Sequence, residues 1–245
     1  YLLSEAMAAL GIATSRSLAM VTTGELVHRE QSLPGGVLAR VAKSHIRIGT
    51  MQFFAGNNDV EGMRLLADHI IDRHYPEARD AENPVLSMFR GIMSKQAKLV
   101  TSWQMVGFIH GVMNTDNMLL SGETIDYGPC AFMDIYDPGA VFSSIDHAGR
   151  YAYRNQPGIT HWNLACLAQA LAPLFSDTEE EAINIAKAAL EEFPAYFLDA
   201  NSAGLRSKVG LTTTEDDDDK LVKDFLDLLE ANACDFTLAF RRLSE

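Results

Sequence analysis

The sequence predicts an α+β protein that is mainly α: the end of a small mixed lobe over residues 1–55, then a larger helical lobe over residues 56–245. Three observations predict it. The first fifty residues read as the end of a β-containing lobe, and from Val60 onward the pattern becomes helical, with apolar residues at helical spacing. Between an apolar helix-like run and a β-like one lies a short polar stretch, His110-Gly111-Val112-Met113-Asn114-Thr115-Asp116-Asn117, followed by Thr124-Ile125-Asp126-Tyr127-Gly128.

Residues 1–10 read as a helical fragment ended by Gly11, a helix-stop signal. They begin mid-helix, with no initiator Met and no basic flank, so they are not a signal peptide. The chain reads as cut from something longer. Ser17 to Arg29 reads as a hairpin of two strands about Thr23-Gly24, Pro34-Gly35-Gly36 as a breaker, and Val37 to Ala42 as a further strand. Met63, Leu66, Ala67, Ile70 and Ile71 then fall on one helical face. A long helix is expected from Pro84 to Phe108, its proline near the start where the missing N–H costs little. Ile159 to Leu174, Thr178 to Phe193 and Leu221 to Leu229 are helical by period. Asp216 to Asp219 suit the start of the last of these, because carboxylates favour a helix N-terminus.

The composition narrows the function classes. At 245 residues the chain has ample length for a buried core. A net charge of −13 argues against a nucleic-acid backbone as partner, since phosphate neutralisation needs clustered Lys and Arg. A single nucleotide needs only a few placed cations and stays open. Cys130, Cys166 and Cys234 are odd in number and scattered, which fits a reducing compartment and rules out a cysteine-only zinc site. No apolar run approaches the ~20 residues that span a bilayer, so no membrane partner is expected.

The polar stretch carries the chemistry. Crowded carboxylate and amide oxygens repel one another unless a cation, usually Mg²⁺, sits among them. His110-Gly111, then Asn117, then Asp126-Tyr127-Gly128 follow the spacing of kinase-like phosphotransferases, where a catalytic loop supplies a base and an Asn metal ligand and a later Asp-x-Gly turn supplies the second ligand. Short, aminoglycoside-kinase-like versions read His-Gly-Asp-x-x-x-x-Asn. Here the base position is Val112, which cannot accept a proton. Asp116 is the nearby carboxylate left to replace it, from a different angle.

The run HGVMNTDNMLLSGETIDYGPCAFMDIYDP resembles the selenoprotein O family, as do SEAMAALGIATSRSLAMV, LARVAKSHIRIGTMQFFA and GRYAYRNQP. The resemblance covers essentially the whole chain. It implies a protein-kinase-like fold and protein adenylylation: AMP passes from ATP, bound inverted relative to kinases, to Ser, Thr or Tyr hydroxyls of protein substrates. It implies Asp116 as proton acceptor, Asn117 and Asp126 as ligands of Mg²⁺ (or Mn²⁺), and Arg40 and Arg47 on the nucleotide phosphates, with Asp126 also at the nucleotide. His110 is expected to orient the loop. Lys43 falls between the two arginines and is not the nucleotide lysine. By the same resemblance the glycine-rich segment, the strand lysine and its glutamate lie upstream of Tyr1, and the family's C-terminal segment lies beyond Glu245, so this piece alone is expected to be inactive. Two other readings fit the residues: a conventional kinase using Asp116 as a shifted base, and a pseudokinase module that binds nucleotide or a partner without turnover. A bacterial cytoplasm is the preferred location, a mitochondrion if the source is eukaryotic.

Overall fold

Helix α1 (Leu2–Ala9) opens the chain and ends at Gly11, whose φ of +76° is the left-handed geometry glycine supplies at a helix terminus. The structure, a computed structural model, describes residues 1–245. A long antiparallel ribbon follows, strand β1 (Arg16–His28) against β2 (Ser32–Val41). Its turn lies at Arg29–Gln31, not at Thr23-Gly24. The residues about Gly24 instead form a bulge, because Thr22 pairs with Gly36 and Leu26 with Pro34, leaving three residues of β1 opposite one of β2. Nor do Pro34-Gly35-Gly36 break the strand. A Cβ on Gly35 would lie 2.6 Å from Thr23 Oγ1 and 3.1 Å from Glu25 O, so glycine is what lets β2 pass beneath the bulge. Pro34 lacks a ladder donor, which a two-stranded ribbon tolerates because each strand has an open edge.

The rest is helical. Helix α2 (Ile48–Gly56) precedes α3 (Val60–His74), α4 (Pro84–Met105), α5 (Gln156–Phe175), α6 (Glu179–Leu190), α7 (Phe193–Lys208), α8 (Asp218–Ala231) and α9 (Phe236–Arg242). The face expected from spacing is the one α3 buries: Met63, Ala67, Ile70 and Ile71. Helix α4 is the central element. Met88, Phe89, Ile92, Met93, Ala97, Val100 and Trp103 are buried along it, against α3, α5 and α7. It stops at Met105 because Gly107 turns left-handed (φ +68°), and Phe108 leaves as part of strand β3 (Phe108–Ile109), which pairs with β4 (Ala131–Phe132).

The sequence reading missed α2, α7 and α9. Helix α6 ends at Leu190, short of the expected Phe193, and α7 begins with Pro194 in its first turn, where a proline starts a helix instead of continuing one. Asp218 and Asp219 do occupy the first turn of α8, and Asp218 is buried against Arg206 at 3.1 Å. A second, smaller core gathers Ile109, Met133, Tyr136, Tyr153, Leu229, Phe236 and Phe240, with Tyr136 stacked on Phe236 at 5.6 Å. No helix is long and apolar enough to cross a membrane. The three cysteines are unpaired.

Candidate active site

The pairing of β3 with β4 makes residues 110–130 a single excursion from the helical core. Its far end is pinned from several sides. Buried Gln96 donates to Leu119 O (2.7 Å), Tyr75 Oη to Leu120 O (2.6 Å) and Trp103 Nε1 to Thr124 Oγ1 (2.9 Å). From the N-terminal side, Ser15 N donates to Thr124 O (3.0 Å) and Thr124 N to Ala13 O (2.9 Å). The segment entering α2 adds Ile48 N to Met118 O and receives Leu120 N on Ile46 O, both at 3.0 Å. Backbone donors and acceptors that would otherwise be buried unpaired are thereby satisfied, which holds an irregular loop in one conformation.

His110 sits at the centre of this frame, 1% exposed, its ring centroid 5.4 Å from that of Trp103. Nε2 faces Ile125 O at 3.1 Å and Nδ1 accepts from Val112 N at 3.4 Å. That arrangement assigns the proton of a neutral ring to Nε2. Burial also pushes the imidazole below its ordinary pKa, in agreement with a neutral side chain. One ring therefore ties the 110–117 loop to the 124–128 turn. Gln156, fully buried, receives His110 N and donates to Phe108 O, each at 3.0 Å, and Asn163 donates to Met113 O at 2.8 Å.

Asn117 ends a 3₁₀ turn over Thr115–Asn117, and an antiparallel bridge joins Met118 to Thr124. The two segments so paired bring Asn117 and Asp126 out at the same end of a narrow loop. The Asn117 amide donates to Val112 O at 2.9 Å, which leaves its Oδ1 as the atom available to a cation. Asp126 is half-buried with φ +64°, left-handed geometry that costs a non-glycine residue about 1–2 kcal/mol and is concentrated at functional sites. Gly111 (φ +83°) lets the loop approach the turn, since a Cβ there would lie 3.0 Å from both Cγ and O of Pro129. Asp116 is exposed and Val112 half-buried.

Neither Asp116 nor Asp126 enters an ion pair. No group of three or more His, Cys, Asp and Glu side chains converges anywhere in the chain. One carboxylate and one amide oxygen suit Mg²⁺, which takes one or two protein carboxylates and fills its remaining positions with phosphate and water oxygens. The donor set thus fits a nucleotide-borne cation.

The two arginines differ in placement. Arg47 is half-buried at the entry to α2 and bridged to Leu119 of the loop, with its Nε enclosed and without a hydrogen-bond partner. An enclosed guanidinium N–H left unpaired is a place for an anionic oxygen. Arg40 is exposed near the base of the ribbon, paired with Ser17, two residues beyond the Ser15 that bonds Thr124. Gly49, Gln156, Asn163 and Trp103 escaped the sequence reading. Each acts on the loop from a remote element, and no local spacing marks such a contact.

Fold and loops together define a class: a mainly helical α+β protein in which an Asn- and Asp-bearing loop pair is mounted on a helical core. The model of the family described as "Protein adenylyltransferase SelO" matches residues 1–245, and the chain belongs to that family. It is similar to proteins named "Protein nucleotidyltransferase YdiU": 58% identical over 245 residues in Bradyrhizobium sp. (strain ORS 278), 57% over 244 in Agrobacterium fabrum (strain C58 / ATCC 33970) and 60% over 245 in Methylorubrum extorquens (strain PA1). Each match covers 100% of this chain and 50%, 50% and 49% of the relative, so the chain spans about half the length of the curated relatives it matches.

Proposed function

We propose that this chain provides the catalytic loop and metal turn of an enzyme that transfers AMP from ATP to Ser, Thr or Tyr hydroxyls of proteins, dependent on Mg²⁺ and working in a bacterial cytoplasm. The observation that carries the reading is the loop's composition in its folded setting. Asn117 and Asp126 leave the same end of a pinned loop, the ordinary base position is Val112, and Asp116 is the only carboxylate in residues 110–117. Membership of a family described as adenylyltransferases supports the same reaction.

In this reading Asp116 takes the proton of the substrate hydroxyl as general base. The freed oxygen attacks the α-phosphorus of ATP, an ester bond to AMP forms, and the bond to the β-phosphate oxygen breaks so that pyrophosphate leaves. Asn117 and Asp126 would hold Mg²⁺, which when bound neutralises phosphate charge. Arg47, through its unpaired Nε, and Arg40 would hold the phosphates with a charged fork of donors.

The test is incubation of full-length protein and a protein acceptor with α-³²P-ATP and, separately, γ-³²P-ATP. Acceptor label from the α position alone is expected. Label from γ alone would instead make it a kinase with a shifted base, and label from neither a non-catalytic binding module. Asp116→Asn is expected to lower α-labelling by about 10²–10⁴-fold, the usual contribution of a general base. Asp126→Ala should abolish labelling, and an intact rate would overturn the metal assignment.

A further inference from the structure

The first turn of α2 meets the catalytic loop more closely than its sequence suggests. Gly49 is the second residue of the helix and faces Asp116. A Cβ built on Gly49 would overlap Asp116 Oδ1 and lie 3.1 Å from its Cγ, and the three nearest atoms would all belong to Asp116. Gly49 has negative φ, so no backbone requirement explains a glycine there. Glycine weakens a helix relative to alanine, which makes its presence in this turn a cost unless the missing methyl is needed. Gly56, at the other end of the same helix, would meet nothing within 4 Å.

We infer that Gly49 is a positioning residue for the transfer reaction: its bare backbone forms the seat in which the Asp116 carboxylate is held against the N-terminus of α2. The inference rests on the reading of Asp116 as the base. The seat is steric: the three atoms nearest to a Cβ on Gly49 all belong to Asp116. The seat is also rigid. Ile48 N donates to Met118 O (3.0 Å), Arg47 bridges to Leu119, and Arg47 N donates to Thr50 Oγ1 (3.1 Å), which fixes the start of α2 on the loop that carries Asp116. The same turn thus holds Arg47 on the phosphate side and Asp116 on the hydroxyl side. Their separation is set by one helical turn instead of by a flexible loop.

The test uses full-length protein carrying Gly49→Ala, Gly56→Ala, Asp116→Ala, and Gly49→Ala with Asp116→Ala. Gly49→Ala is expected to lower kcat about 10²-fold, the scale of a 1 Å misplacement, while KM for ATP stays within about twofold. Its melting midpoint should hold or rise, because alanine favours the helix. Gly56→Ala should keep the wild-type rate. Added to Asp116→Ala, Gly49→Ala should cost nothing further, since the atom it displaces is gone. A wild-type kcat in Gly49→Ala overturns the inference, as does an equal further loss in the Asp116→Ala background. If Gly49→Ala alone misfolds while the double variant folds, the contact is supported; if both misfold, it is overturned. An unimpaired Asp116→Ala would instead sink the assignment of the base itself.

Discussion

Single positions govern how the two polar segments meet. At Gly111 the left-handed φ of +83° and the approach of Pro129 act together, so Gly111→Ala is strained by its backbone and by its methyl. A loss of about 2 kcal/mol is expected, read as a lower urea midpoint in equilibrium unfolding. His110 shows why a motif residue need not touch substrate. Its ring is enclosed and both nitrogens are engaged within the loop, on Ile125 O and Val112 N. At this scale the candidate site was legible where its residues are contiguous. His110, Asn117 and Asp126 stand in a readable spacing, and the absence of a carboxylate at 112 is visible without coordinates. Gly49 was not legible, because what it does depends on an atom of Asp116 brought to it by the fold.

Among the elements, helix ends decide more than helix interiors. Asn83 accepts Leu86 N at 3.0 Å as the cap of α4 and donates to Phe175 O at 3.0 Å, joining the start of α4 to the end of α5. Asn83→Ala removes both and is expected to cost about 1–2 kcal/mol; Asn83→Asp keeps the cap alone and should recover part of that in the same denaturation curve. The long helices α3, α4 and α5 were legible because each buries a periodic apolar stripe. Helix α2 was not: Ile48-Gly49-Thr50-Met51-Gln52-Phe53-Phe54-Ala55-Gly56 is short, apolar on several faces and ended by glycine, so it has no stripe to read. Helix α6 was read three residues too long and α7 was missed, because their junction is a bend at Phe193-Pro194, not a polar linker. The ribbon was misjudged for the opposite reason. Glycine and proline usually punctuate strands, and here they build a bulge inside one.

The molecule as a whole should be sensitive to acid. Burial, with Lys95 and Arg73 nearby, lowers the His74 pKa to about 4, and burial lowers that of His110 as well. Both histidines take up a proton near pH 6.5 once unfolded, so the unfolded chain binds more protons below that pH. Their contribution to stability is present above about pH 6.5 and is lost as the pH falls towards 4. A falling melting midpoint across that window is expected, with a shallower slope in His74→Gln. At still lower pH Glu5, held near 2 by its hydrogen bonds from Arg16, adds a loss of the same sign. The ribbon of β1 and β2 has a different consequence for the chain in solution. Leu18 is 71% exposed and Met20 67%, with Val21, Leu26, Leu33 and Val37 also open to water along two strands whose outer edges are unpaired. Such a surface adheres to copies of itself, and what opposes it is the mutual repulsion of molecules carrying −13 each. Salt screens that repulsion and leaves the apolar attraction intact. This chain is therefore expected to stay dispersed in dilute buffer and to scatter more light as salt is added.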